Sequence, residues 1–172
     1  HATNEIAGRS SVQAKYGGFS SEADGSTTAF RVTSDDSSFA FGTGEFTLEC
    51  WVYWTAVGTD KCIMVNRESN ASTAWYFGID NNRHLHLAHG SAVILQSGVD
   101  FQTYLNTWTH VAVARDGNTG RIYINGVQQA SSSFSSYNFT ETNRPKIGGG
   151  DTQGAGLFTG FFDEVRISST CR

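Results

Sequence analysis

The chain has 172 residues, which is enough for one domain with a hydrophobic core. Charged residues make up 16% of it and the net charge is −4, without a basic cluster, so nucleic-acid binding through phosphate neutralisation is disfavoured. No apolar run approaches the ~20 residues of a membrane-spanning helix, so no membrane insertion is expected. The low charge and the many Gly, Ser, Thr and aromatic residues are typical of an extracellular or virion-surface β protein.

Apolar and polar residues alternate with a period of two along most of the chain, which is typical of half-buried strands. In chain order, the predicted strands are residues 28–32, 46–54, 61–66, 74–80, 84–89, 92–96, 108–115, 121–125, 144–148 and 161–168. Short turn signals separate them, so the chain is predicted to be an all-β, two-sheet antiparallel sandwich of the jelly-roll type. We expect a single domain over residues 1–172, with a surface loop at the Ser-rich segment 131–142.

The three cysteines are Cys50, Cys62 and Cys171, an odd number without a C-x-x-C spacing. Cys50 alternates with apolar residues of its predicted strand, which indicates a small core residue. We expect free thiols.

Four motifs follow one another in an order that resembles a known family. They are FGTGEFTLECWVYW (41–54), WTHVAVARDGNTGRIYINGVQQA (108–130), KIGGG (146–150) and FTGFFDEVRIS (158–168). Together they resemble the concanavalin A-like domains of the laminin-G and pentraxin type. The resemblance spans residues 20–172, preceded by an N-terminal segment and first strand in residues 1–19. It implies two packed antiparallel sheets, frequent glycan binding or adhesion in secreted and phage tail proteins, and often a structural calcium.

Relatives of this fold also include glucanases, so the carboxylates must be considered as catalytic pairs. Glycoside hydrolysis needs two carboxylates on either side of one bond, about 5–10 Å apart. Asp163 and Glu164 are sequence neighbours on a strand and therefore point to opposite faces. Glu45 and Glu49 share a face, but four strand residues separate them by about 13 Å. The sequence therefore predicts no catalytic residues, although carboxylates from different strands could still meet.

Strand parity predicts that Asp163 faces the core with Val165, and that Glu164 forms a surface ion pair with Arg166. An inward carboxylate needs hydrogen bonds, a cation or a metal. The family resemblance implies a structural calcium at this position. The matching ligands are Asp163, Asp24 and Gly44, with backbone carbonyls completing the shell. The alternative is that Asp163 accepts backbone N–H groups of a neighbouring turn.

A candidate ligand face is predicted in residues 74–89. A three-residue loop, 81–83, would place both apolar sets of the flanking strands on one side of the sheet. The other side would then display the candidate ligand-binding residues Tyr76, Asp80, Arg83, His84 and His86. His-x-His could instead be two zinc ligands, or the face could be an ordinary solvated surface with an Asp80–His84 pair.

From the resemblance and this face we predict a non-catalytic carbohydrate-binding or adhesion domain with a structural calcium. Its partners would be a cell-surface or extracellular glycan and neighbouring domains or chains of a larger assembly. Two alternatives stay open: a structural or protein-interaction module that binds no glycan, and a glycan-cleaving enzyme of the same fold.

Overall fold

A computed structural model describes residues 2–3, 8–26, 30–56, 58–68, 71–150 and 156–172, with backbone alone at 2–3. Of the strand predicted at residues 28–32, Thr28 and Ala29 lie outside the described residues. Within the described residues, no helix is long and apolar enough to cross a membrane. Helical structure there consists of two 3₁₀ turns, at Ser37–Phe39 and Phe101–Tyr104.

The described residues contain fourteen strands, which form two sheets of seven, and all pairings between these strands are antiparallel. In spatial order, sheet A contains β1 (Ala2–Thr3), β4 (Phe30–Val32), β13 (Lys146–Ile147), β6 (Lys61–Val65), β7 (Trp75–Ile79), β8 (His84–His89) and β9 (Ala92–Asp100). Sheet B contains β12 (Val127–Ser133), β11 (Thr119–Ile124), β10 (Thr109–Asp116), β5 (Phe46–Trp54), β14 (Thr159–Ser168), β3 (Ser20–Asp24) and β2 (Gly8–Ser10). The predicted two-sheet sandwich is confirmed.

β5 shows how the alternating sequence forms the core. The alternate residues Phe46, Leu48, Cys50, Val52 and Trp54 are fully buried between the sheets, while the residues between Leu48 and Trp54 are half-buried on the outer face. Side chains on a strand alternate between its two faces, so one period-two segment supplies both surfaces. Cys50 is buried in the core, as predicted, and no disulfide joins any two of the three cysteines, which all lie in the described part of the chain.

The prediction of a surface loop at residues 131–142 is wrong for the first three residues, which are in a strand, and for the two phenylalanines. β12 continues to Ser133, and both Phe134 and Phe139 are fully buried in the core. The buried guanidinium of Arg115 holds this segment by donating to the carbonyl oxygens of Phe134 (3.1 Å) and Tyr137 (2.8 Å). A low-complexity segment therefore contributes two side chains to the hydrophobic core.

Candidate functional site

The β7–β8 hairpin has the register that the sequence predicts. Gly78 pairs with His86 and Phe77 pairs with Leu87. Phe77 and Leu87 point into the core between the sheets. Because neighbouring strand residues face opposite sides, Tyr76 and His86 lie together on the outer face of sheet A.

Asp80 organises the turn of this hairpin. Its Oδ1 accepts the backbone N–H groups of Asn82 and His84, each at 2.8 Å. Its Oδ2 accepts the side-chain amide of Gln96 from β9, which also lies 2.9 Å from His84 Nδ1. The His84 ring is 3.8 Å from Asp80 Oδ2, so the predicted Asp80–His84 pair forms. Asp80 and His84 are thus held by the hairpin and by the next strand.

Tyr76 and His86 form a stacked pair with ring centroids 5.2 Å apart and planes inclined by 25°. Gly78 makes room for the tyrosine, since a Cβ at this position would lie 2.8 Å from Tyr76 Cε1. The Tyr76 hydroxyl donates to Asp60 Oδ1 at 3.3 Å, and the Arg67 guanidinium carbon lies 5.2 Å from the tyrosine ring centroid. Tyr76 is only 2% exposed, so its ring is packed rather than open to a ligand.

These side chains surround a pocket of about 250 Å³ on the outer face of sheet A, called here the β7–β8 pocket. Its lining residues are Asp60, Arg67, Tyr76, Asp80, Asn81, His86, Ala88, Ser91 and Val93. His86 is 5% exposed, and its Nδ1 is buried with no hydrogen-bond partner among the described residues. Burial lowers the pKa of the His86 imidazole, which favours its neutral form. The pocket therefore combines carboxylates, a guanidinium, an amide and a neutral imidazole.

Two of these residues, Asp60 and Arg67, were not identified from the sequence. Asp60 immediately precedes β6, and its backbone N–H donates to the Asp80 carbonyl at 3.2 Å. Arg67 follows β6 and donates to the Gly90 carbonyl at 2.5 Å. The β6–β7 register, with Lys61 opposite Ile79, carries the signal for Asp60, because it places Asp60 beside Asp80. Nothing in the local sequence indicates Arg67.

Arg83 belongs to the predicted ligand face, but it does not line the pocket. Its guanidinium binds Asp100 through two contacts, Nε to Oδ1 at 2.8 Å and Nη2 to Oδ2 at 2.5 Å. These hydrogen bonds from Arg83, together with the N–H of Gln102, lower the pKa of Asp100 to about 2. Arg83 therefore ties the β7–β8 turn to the end of β9.

Asp163 does not face the core, so the parity prediction for this strand is wrong. Asp163 lies opposite Trp51, whereas Arg166 lies opposite Glu49, so β14 contains one extra residue between them. This β-bulge, with Glu164 at φ 48°, switches which side chains face inward. Arg166 consequently pairs with Glu49 (3.1 Å) across the strands and not with the predicted Glu164.

The Asp163 carboxylate accepts hydrogen bonds from backbone N–H groups, which is the predicted alternative to a calcium ligand. Its Oδ2 accepts Lys15 N at 2.9 Å and Tyr16 N at 3.0 Å, and its Oδ1 accepts Glu164 N at 2.9 Å. Lys15 and Tyr16 in turn cover Trp51, with Lys15 Nζ 4.1 Å from its ring centroid. Asp163 thereby fastens the N-terminal segment, which here means the connection between β2 and β3 (residues 11–19), to the outer face of sheet B.

The structure does not bring the three predicted calcium ligands together. Asp24 lies opposite Thr159, four residues or about 13 Å along β14 from Asp163. Gly44 precedes the start of β5, about 23 Å along that strand from Trp51, the partner of Asp163. Calcium contacts its ligands at about 2.3–2.6 Å, so one ion cannot contact all three residues. Among the described residues, no group of three His, Cys, Asp or Glu side chains could hold a metal ion. Calcium binding stays a prediction.

The chain is similar to several known proteins. A family model described as the concanavalin A-like lectin/glucanases superfamily matches residues 24–172. No curated protein matches the chain. Among solved structures, the binding domain of Paraclostridial Mosquitocidal Protein 1 superposes with a TM-score of 0.71 at 14% identity, covering 100% of this chain and 44% of that one.

This chain matches larger shares of two further structures. Domain 4 of AbnA, a GH43 extracellular arabinanase from Geobacillus stearothermophilus in complex with arabinotriose, has a TM-score of 0.68 at 15% identity, covering 98% of this chain and 77% of that one. The Ruminococcus gnavus IT-sialidase CBM40 bound to alpha2,3 sialyllactose has a TM-score of 0.64 at 14% identity, covering 89% and 90%. At these identities the likeness shows a shared fold, and this chain spans less than half of the first structure.

Proposed function

Because the chain belongs to the concanavalin A-like lectin/glucanases superfamily, we propose that it is a non-catalytic carbohydrate-binding domain that holds its glycan in the β7–β8 pocket. The observation that carries the proposal is the convergence of polar side chains on this pocket. Asp60, Arg67, Asp80 and His86 come from β6, β7, β8 and the segments next to them, and all line one depression. Convergent polar groups in a concave site are what fixes the orientation of a small ligand.

Two of the similar structures support a glycan as the ligand, since one is bound to arabinotriose and the other to sialyllactose. These two sugars differ in charge, so they do not decide the charge of the ligand. The chemistry of the pocket agrees with a sugar. Carboxylates accept hydrogen bonds from hydroxyls, whereas the Arg67 guanidinium and the Asn81 amide donate to sugar oxygens. The exposed side chain of Val93 at the rim offers an apolar contact to the carbon skeleton.

The pocket is shallow and small, so its affinity for one sugar is expected to be modest. Small interfaces that must also immobilise their ligand bind with dissociation constants of about micromolar to millimolar. Useful avidity would come from several copies of the domain in a larger assembly at an extracellular or virion surface. We keep the structural calcium that the resemblance implies as part of this proposal, with a ligand set other than Asp163, Asp24 and Gly44 together.

The arrangement favours binding over glycan cleavage. A glycoside hydrolase needs two carboxylates, one to protonate the leaving oxygen and one to act as nucleophile or base. Two carboxylates, Asp60 and Asp80, line the β7–β8 pocket. Asp80 already accepts hydrogen bonds from Asn82, His84 and Gln96, so its oxygens serve the hairpin. We infer that Asp80 positions the β7–β8 turn and the neighbouring strand β9.

A glycan array followed by titration calorimetry tests this proposal. Asn81→Ala removes an exposed side chain at the rim and should weaken binding without changing the melting temperature. His86→Ala removes the buried imidazole and should weaken binding by about tenfold or more, the effect of losing one well-placed hydrogen bond.

His110→Ala is the matched control, because this histidine lies opposite Trp51 on sheet B and outside the pocket. It should bind as the wild type does. Absence of binding to any glycan, with and without calcium, would overturn the proposal and favour the structural-module alternative. Release of reducing ends from a polysaccharide panel would instead favour the enzyme.

A further inference from the structure

The charged side chains of the β7–β8 pocket do not balance. Its described lining residues carry two carboxylates, Asp60 and Asp80, and one guanidinium, Arg67. Arg67 is also engaged by the protein itself, through the Gly90 carbonyl and the face of Tyr76. The pocket therefore has a net negative charge next to the space that a ligand would fill.

The aromatic ring in the pocket cannot act as a stacking platform for a sugar. His86 stacks on Tyr76 at 5.2 Å, and Arg67 lies 5.2 Å from the Tyr76 ring centroid. Tyr76 is 2% exposed and His86 is 5% exposed. Recognition must then come from hydrogen bonds at the pocket wall rather than from ring stacking.

His86 adds a second, independent sign that the pocket receives a ligand. It is a polar side chain more than nine-tenths buried in the pocket wall, and its Nδ1 has no partner among the described residues. Buried polar atoms in native proteins are normally hydrogen-bonded, and an exception at a pocket points to a role there. Because burial disfavours the imidazolium, this side chain does not offset the two carboxylates at neutral pH.

We propose that the β7–β8 pocket takes the hydroxyl-bearing edge of a neutral sugar and discriminates against sugars that carry a carboxylate or a sulfate. This inference rests on the proposed function and narrows its ligand class. Hydroxyl groups can donate to Asp60, whose Oδ1 already accepts the Tyr76 hydroxyl. An anionic group would instead face two carboxylates, and like charges brought together at an interface are strongly unfavourable.

The experiment compares neutral oligosaccharides with their sulfated and uronic-acid counterparts on one array, with dissociation constants from calorimetry. At low salt we expect the dissociation constant of an acidic sugar to be at least about ten times that of its neutral counterpart. This ratio should shrink as salt screens the carboxylates. Asp60→Asn removes one charge while asparagine tolerates the left-handed backbone of this residue (φ 51°). This variant should narrow the ratio several-fold.

Asp116→Asn is the matched control, since it changes the net charge equally but lies on β10 of sheet B, beside Arg121. It should leave the ratio unchanged. Equal or tighter binding of the acidic forms, with Asp60→Asn behaving like Asp116→Asn, would overturn this inference and leave the carbohydrate-binding function in place. Absence of binding to both classes would overturn the proposed function, and the inference would fall with it.

Discussion

Replacing Asp163 by Asn should release the N-terminal segment from sheet B. One oxygen of the carboxylate accepts the N–H groups of Lys15 and Tyr16, and the other accepts Glu164 N. Asparagine has nearly the same size, but one of its two terminal atoms is a donor. Whichever way the amide is turned, at least one backbone N–H then faces another N–H. The variant therefore loses hydrogen bonds without leaving a cavity.

The expected magnitude follows from the number and exposure of these bonds. A hydrogen bond to a charged group contributes about 1.5–3 kcal/mol when well protected. Lys15 is half-buried and Tyr16 is exposed, so water can replace part of the loss. We expect the free energy of unfolding to fall by about 1–2 kcal/mol. At about 2–4 °C per kcal/mol for a chain of this length, the melting temperature should fall by about 2–8 °C.

Urea unfolding and calorimetry, with added calcium and with excess chelator, measure this change. Asp36→Asn is the control, because Asp36 makes a local Asx contact to Ser38 N at 2.7 Å, which asparagine also makes. Limited proteolysis should in addition cut Asp163→Asn after Lys15 sooner than wild type. If Asp163→Asn changes stability no more than Asp36→Asn, the carboxylate does not hold the N-terminal segment. If calcium stabilises wild type but not Asp163→Asn, the carboxylate serves the ion instead.

Two further predictions concern the core and the pH dependence of stability. Gly120→Ala should lower the free energy of unfolding, measured by urea, by about 1–3 kcal/mol through overpacking, because the alanine Cβ would lie 2.1 Å from the Phe134 ring. Gly98→Ala is the control, since it has open space around it and should change the free energy of unfolding little. The pKa of Asp100 is lowered to about 2 from 3.8, so its contribution to stability is complete above about pH 4 and is lost as the pH falls to 2. Arg83→Gln should flatten this part of the stability–pH curve, and an unchanged slope would contradict the assigned cause.

The alternating strands and one hairpin of the site could be predicted from the sequence. Residues 46–54 and 84–89 are strands with the predicted bounds, since period-two alternation is a local property. The β7–β8 register also follows locally, because one choice of loop puts both apolar sets on the core side. Alternation and loop length therefore place Tyr76, Asp80 and His86 on one face without any tertiary contact.

Other features depend on contacts between segments that are distant in the sequence. The β14 bulge cannot be read from FFDEVRIS, because its extra residue is defined only by pairing with β5. Asp163 consequently faces the N-terminal segment, which lies almost 150 residues earlier in the chain. The local sequence around Phe134 and Phe139 is typical of a loop. Their burial depends on Arg115, which holds the segment, and on the strands that face them.

Alternation and turn length are enough to predict an antiparallel β-sandwich and to predict which side chains of the β7–β8 hairpin share a face. The chemical character of that face depends on contacts between strands. Strand pairing brings Asp60 next to Asp80, and Arg67 settles against Tyr76. The predicted ligand face thereby consists of a closed stack of Tyr76 on His86 beside a polar pocket with excess negative charge. Burial and charge balance depend on which groups meet in space, whereas sequence periodicity indicates only which face of a strand each side chain occupies.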